Sequence, residues 1–120
     1  MIILGTDQNL HHFFSSEHWM GDGTFSIVPT GYQQLFTLLG FVHQLWVSLL
    51  HVIMRHRKVN DYFKMFEEHL ILAMNLDIDI PQHPIILLDF EKASASAFKT
   101  TFPDGQVYRR FFYLWNTIIR

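Results

Sequence analysis

The chain contains no cysteine, which removes a disulfide framework and any thiolate zinc site from consideration. That fits a reducing compartment. Charge is scarce: Asp, Glu, Lys and Arg supply 17% of the 120 residues, against about a quarter in ordinary domains. The net charge of −2 and a pI near 6.4 exclude a strongly basic nucleic-acid binder on global charge. With 4 prolines and 6 glycines, no Pro/Ser linker divides the chain, and no repeat or low-complexity tract is visible. What is present is apolar: 49% hydrophobic and 16% aromatic, with 12 phenylalanines. That balance builds a real core in one domain and is the opposite of a disordered tail. Few charges beside many aromatics also suggest outer faces that meet other surfaces.

Met1-Ile2-Ile3-Leu4-Gly5 lacks the basic start and full apolar stretch of a signal peptide. Leu35 to Met54 carries no charge and is followed by Arg55-His56-Arg57-Lys58, a length and flank that suit a spanning helix. Gly40, His43, Gln44, Ser48 and His51 interrupt it, however, and the stretch reads better as two strands meeting near Val42-His43-Gln44. A membrane hairpin on residues 35–54 is the weakest alternative.

Residues 1–18 are expected at the periphery. From 19 to 28, Trp19, Phe25 and Ile27 share one parity and Asp22, Thr24 and Ser26 the other, which predicts a strand with Gly21 and Gly23 leaving space around Asp22. After the Pro29-Thr30-Gly31 turn signal, the apolar runs 33–41 and 45–54 predict the rest of a meander. Val59, Tyr62, Phe63, Phe66, Leu70, Ala73 and Met74 recur at helical intervals over 59–74. Asn60 and Asp61 suit the start of that helix. Ile85-Ile86-Leu87-Leu88 is a short continuous run typical of a parallel strand buried on both faces. A helix over 91–101 follows, with Ala93, Ala97 and Phe98 inward, then a strand at 106–108 and the start of a helix at 111–120. A meander followed by alternating elements implies an α/β fold with a mixed sheet covered by helices.

Two acids stand out by placement. Asp22 lies between glycines in the first predicted strand, and Asp89 ends the buried 85–88 run, where open α/β sheets cluster their ligand sites. If those strands are neighbours, the two carboxylates face a gap that a divalent ion bridges. On spacing alone, an edge residue and a helix cap explain them as well. The eight histidines, including His11, His12 and His18, lack the helical spacing of a zinc site and read as ordinary polar tips. Ser15, Ser16, Ser94 and Ser96 have no nucleophile-elbow context. Arg55, Arg57 and Lys58 form the best basic cluster, either a weak phosphate contact or a solvated turn. Asp77 and Asp79 complete no calcium pattern.

Asp22-Gly23-Thr24-Phe25, Val28-Pro29 and Tyr32-Gln33-Gln34-Leu35-Phe36-Thr37, followed by Leu88-Asp89-Phe90-Glu91-Lys92-Ala93, Phe102-Pro103 and Phe111-Phe112-Tyr113-Leu114-Trp115, run in order along the chain. This set resembles the transposase domain of Mutator-like elements, the MULE family. The resemblance implies a ribonuclease-H-like mixed sheet, partial over residues 19–120, with a three-strand antiparallel meander and one or two parallel strands. It implies metal-dependent DNA strand cleavage and transfer with Mg²⁺ or Mn²⁺, DNA ends as partner, and the nucleus as compartment. Asp22 and Asp89 then stand as the first and second of three metal-binding carboxylates. The third is expected beyond Arg120, so the chain alone is expected to be inactive. Glu91 is not the family's missing ligand, though it suits a supporting place beside the metal. Arg110 and Tyr113 replace the family's Cys and His, and Leu39-Gly40 stands where a His-Gly is usual. The alternative is a decayed or domesticated non-catalytic module that contacts DNA through residues 55–58, self-associates, or binds another protein.

Overall fold

The computed structural model describes residues 1–89 and 91–109. They form an α/β fold: a six-stranded mixed sheet and three helices. In chain order the elements are β1 (Ile2–Leu4), α1 (Asp7–Ser15), β2 (His18–Thr24), β3 (Gln34–Val42), β4 (Leu45–Met54), α2 (Val59–Asn75), β5 (Ile85–Leu88), α3 (Lys92–Thr101) and β6 (Gln106–Arg109). The sheet order is β1-β4-β3-β2-β5-β6. β2, β3 and β4 pair antiparallel as a meander, β1 joins β4 antiparallel, and β5 and β6 add in parallel beyond β2.

The β3–β4 turn is the two-residue His43-Gln44, with φ of 50° and 65°. Two consecutive left-handed residues give a hairpin the twist that its strands need. The uncharged 35–54 stretch is thus the β3–β4 hairpin, and among the described residues no helix is long and apolar enough to cross a membrane.

The crossovers from β4 through α2 to β5, and from β5 through α3 to β6, advance in the same direction across the sheet. Right-handed connections therefore put both helices on one face, and α2 and α3 contact each other there. That face presents Trp19, Phe36, Leu38, Val52, Ile86 and Leu88, all buried. Trp19 is its centre. Phe13 of α1 stacks on it at 4.4 Å, and Phe98 and Phe102 meet it edge-on. Its indole N–H donates to the Phe13 and Ser16 carbonyls at 2.8 and 2.9 Å, so the largest core side chain buries no unpaired donor.

Several expectations change. Within residues 1–18, β1 adds an edge strand to the sheet, and α1 sends Leu10, Phe13 and Phe14 into the core. A helix of 9 residues has too few apolar repeats to declare itself among histidines. The first predicted strand stops at Thr24 rather than 28, and Phe25 and Ile27 are exposed at 51% and 72%. The α2 face is rotated from the expected stripe. Tyr62, Met65, Phe66, His69 and Ala73 are buried, while Val59 and Met74 are exposed. Asp61 Oδ2 accepts the Lys58 N–H at 2.9 Å at the helix start. At its end Asp77 takes the left-handed conformation (φ 56°), and the Asp77 and Ile78 N–H groups close back on the Met74 and Ala73 carbonyls, a Schellman stop. The 85–88 strand falls where expected, with Ile86, Leu87 and Leu88 buried. The helix expected at 111–120, and the family departures at Arg110 and Tyr113, lie outside the described residues.

Candidate functional site

Strands β2 and β5 are hydrogen-bonded neighbours at the middle of the sheet, paired His18↔Ile85, Trp19↔Ile86 and Met20↔Leu87. The pairing ends at Met20↔Leu87, and the same register, continued by two residues, runs to Asp22 in β2 and to Asp89 just past β5. Asp22 is half-buried within β2, and Asp89 is exposed as the first residue past β5. The sequence-based juxtaposition of the two acidic strands is therefore met. Among the described residues no group of three or more His, Asp or Glu side chains gathers in a way that would hold a metal.

Asp89 also lines a cavity of about 310 Å³ with Gly21, Gly23, Phe25, Arg57 and Glu91. The two glycines face this cavity and Asp22, between them, falls on the alternate parity of β2. A Cβ at Gly21 would stand 2.6 Å from Phe36 Cζ and 2.7 Å from Leu88 Cδ2, and one at Gly23 2.5 Å from Gln34 Oε1. The glycines flanking Asp22 thus admit the large β3 side chains beneath the site, more than they give the carboxylate room.

A polar chain runs under this cavity. Gln34 Nε2 donates to Tyr62 Oη at 2.7 Å, and the Tyr62 hydroxyl donates to Glu91 Oε2 at 3.0 Å. Arg57 Nη2 donates to the same oxygen at 3.2 Å. Glu91 N–H closes a tight turn onto the Asp89 carbonyl at 2.6 Å, and Ser94 Oγ donates to the Glu91 carbonyl. The result ties β3, α2 and the β5–α3 connection together next to Asp89. Burial pushes the Tyr62 hydroxyl up to about 12, with the Gln34 and Arg57 bonds opposing and the Glu91 charge reinforcing that shift. Glu91 Oε2 is committed to Tyr62 and Arg57, so the carboxylate buttresses the connection.

The basic cluster divides. Arg57 pairs with Glu91 and lies 4.3 Å over the Phe25 ring. Arg55 lies 5.3 Å over the Tyr32 ring. The Lys58 backbone opens α2, and its side chain is exposed. Arg55 and Arg57 thus have different immediate partners.

Sequence reasoning did not find Gln34, Tyr62 or the Arg57–Glu91 pair. Their partners are 28 to 34 residues apart, and no local pattern reports such a separation. It also read the histidines as ordinary polar tips, whereas His69 is 2% exposed. Ser94 is a small, buried position in the first turn of α3. No protein-family model matches the chain, and no curated protein matches it, so the geometry of Asp22, Asp89 and the Tyr62 network is what bears on function.

Proposed function

We propose that the chain carries a ribonuclease-H-like core of the Mutator-like transposase type, in which Asp22 and Asp89 hold Mg²⁺ or Mn²⁺ against DNA in the nucleus. The observation that carries this reading is the parallel pairing of β2, which holds Asp22, with β5, which Asp89 follows directly. The strand order adds support. The resemblance calls for a three-strand meander and one or two parallel strands; β2–β4 and then β5 and β6 agree with that part, while β1 adds a sixth strand beyond it.

A pair of carboxylates suits a hard divalent cation, which takes oxygen donors and keeps several waters. When bound, such ions activate an attacking water and stabilise a leaving oxygen in phosphodiester displacement. The chain's own contribution is to present Asp22 and Asp89 from rigid strands and to fix the β5–α3 connection through Glu91. Two carboxylates by themselves hold such an ion weakly.

The test is a Mn²⁺ titration by calorimetry on the parent, Asp22→Asn and Asp89→Asn chains. Saturable binding is expected in the parent, weakened at least roughly tenfold in either variant. Absence of binding in the parent, or equal binding in all three, overturns the reading. Nicking of DNA by the parent chain with Mg²⁺, lost in Asp22→Ala, would support the reading directly.

A second reading, a protein-interaction module, has one observation in its favour. The sheet face opposite the described helices carries Ile2, Leu4 and Phe41, exposed at 41%, 47% and 40%. A concentration-dependent dimer in sedimentation, with no metal binding, would favour it.

A further inference from the structure

The first half of β4 has an open backbone edge. Phe41 N–H donates to Ser16 Oγ at 3.2 Å, and the Phe41 carbonyl accepts from that hydroxyl at 3.1 Å. Ser16 leads into β2, which borders β3 on the side away from β4. Phe41 therefore turns both backbone groups from β4, and its pair with Trp46 is a non-hydrogen-bonded one. Trp46 in turn points its N–H and C=O away from β3. Bonded and non-bonded pairs alternate along an antiparallel ladder, so Ser48, opposite Leu39, does the same. On that side of β4 the described neighbour is β1, which pairs with His51, Val52 and Ile53. Among the described residues no strand lies beside Leu45 to Ser48.

The side chains do not guard this edge. Proteins keep open strands from pairing with Lys, Pro or inward-pointing charges, and Leu35 to Met54 contains none of these. Leu45 is 68% and Val47 37% exposed, and Ser48 is exposed beside them. The register shift between Leu38 and Leu39 leaves Leu49 as an extra residue on β4. That bulge ends the open run on its inner side, and the His43-Gln44 turn ends it on the outer side.

We infer that this edge pairs with the same edge of a second copy of the chain, antiparallel about a two-fold axis at Val47. Trp46 of each copy then exchanges N–H···O=C bonds with Ser48 of the other. The two Val47 side chains face each other in the non-hydrogen-bonded place, with Cβ atoms about 4.5–5.5 Å apart. The occupant follows from charge. A two-fold pairing lays a strand against its own sequence, so every charge on it meets its like. The 35–54 stretch has no charge to repel a copy of itself, and none with which to select a foreign strand. The edge is short, so the interface belongs to the weak, transient class. It leaves the acids free, because Asp22 pairs with Thr37 and Thr37 with His51, beyond the paired run. The pairing is therefore independent of the metal reading. It also differs from association through the apolar sheet face, since Ile2 and Leu4 take no part.

The test uses the full chain in sedimentation equilibrium and amide hydrogen exchange. The parent should be half dimeric below about 1 mM, and the Trp46 and Ser48 amides should exchange more slowly as concentration rises. Val47→Lys or Val47→Glu sets like charges across the axis and should weaken the dimer at least roughly tenfold. An equal mixture of the two variants should associate again, because Lys then faces Glu. Leu4→Lys, at an exposed position of the sheet face, should leave the dimer as it is. A parent that stays monomeric leaves the edge to another partner and overturns the proposal. So does a dimer in which the Trp46 and Ser48 amides exchange as in the monomer. Loss of the dimer in Leu4→Lys but not in Val47→Lys, or a Lys and Glu mixture that stays monomeric, overturns it as well.

Discussion

Tyr62→Phe removes one oxygen from the centre of the structure and leaves the ring in place. The ring packs edge-on against Phe36 at 5.4 Å, and phenylalanine keeps that contact. What goes is the hydroxyl that accepts from Gln34 at 2.7 Å and donates to Glu91 at 3.0 Å. Gln34 is 1% exposed, so its amide loses its oxygen acceptor with no water to take over. Glu91 keeps Arg57 and is 28% exposed, so solvent offsets part of its loss. Together these effects cost about 2 kcal/mol near neutral pH. The variant also changes the alkaline limb. The Tyr62 hydroxyl sits at about 12 in the folded chain against 10.0 unperturbed, chiefly because burial disfavours the phenolate. The unfolded chain thus gives up this proton first. The folded state holds more protons between those values, and stability falls as pH rises through that window. The linked loss amounts to about 2–3 kcal/mol, present in the parent and absent in Tyr62→Phe. Urea unfolding followed by circular dichroism, from neutral pH to the limit of the alkaline range, measures both. Other tyrosines and lysines titrate in both proteins and cancel in the difference. Equal stability at neutral pH, or parallel curves above pH 10, would refute the network's role.

Three further outcomes follow from particular side chains. Burial lowers the His69 pKa, so the unfolded chain protonates first as pH falls below about 6.5, and stability should decline on the acid side. Thermal melts should show that decline in the parent and a flatter response in His69→Gln. At the hairpin, His43 and Gln44 both hold positive φ, which side chains other than Asn and Gly adopt at a cost. His43→Asn with Gln44→Gly should stabilise the chain by about 1 kcal/mol in urea unfolding. Gly21→Ala drives a methyl to 2.6 Å from Phe36 and 2.7 Å from Leu88, so an overpacking loss of about 1–3 kcal/mol is expected in the same assay.

The elements that announced themselves in sequence are those whose signal is local. Ile85 to Leu88 is a pure apolar run, and a strand buried on both faces has no polar side to show. Leu45 to Met54 and the turn before it are bounded by residues that interrupt any helix. Residues 1–18 gave no such signal. Three buried side chains on α1 carry its packing, and they are spaced among His11, His12 and Asn9 in a segment too short for periodicity to outweigh composition. The end of β2 was overextended for a related reason. Phe25 and Ile27 continue the alternation of Trp19, but β3 pairs only as far as Thr24↔Leu35, and alternation cannot report where a partner strand stops.

The candidate site divides along the same line. Asp22 was singled out by its flanking glycines within a strand and Asp89 by its place at the end of a buried run, and adjacency of their strands required only that the meander's first strand receive the next parallel one. The layer beneath them is another matter. Gln34 and Tyr62 meet because β3 and α2 lie on either side of one core, and Glu91 reaches Tyr62 because the right-handed crossover lays α2 beside the β5–α3 connection. Each of those residues has an ordinary local reading: a strand residue, a helix-face aromatic, a residue before a helix. Only the fold turns them into a chain of hydrogen bonds adjoining Asp89. His69 shows the same limit from the opposite side, since nothing around it in sequence separates a core histidine from a surface one. Its partner at Met65 lies one turn away and is legible, whereas the burial of its other nitrogen depends on what the fold packs around α2. Backbone placement of functional groups is thus written in strand and helix patterns, while the hydrogen-bond state of each group is set by residues brought together from distant parts of the chain.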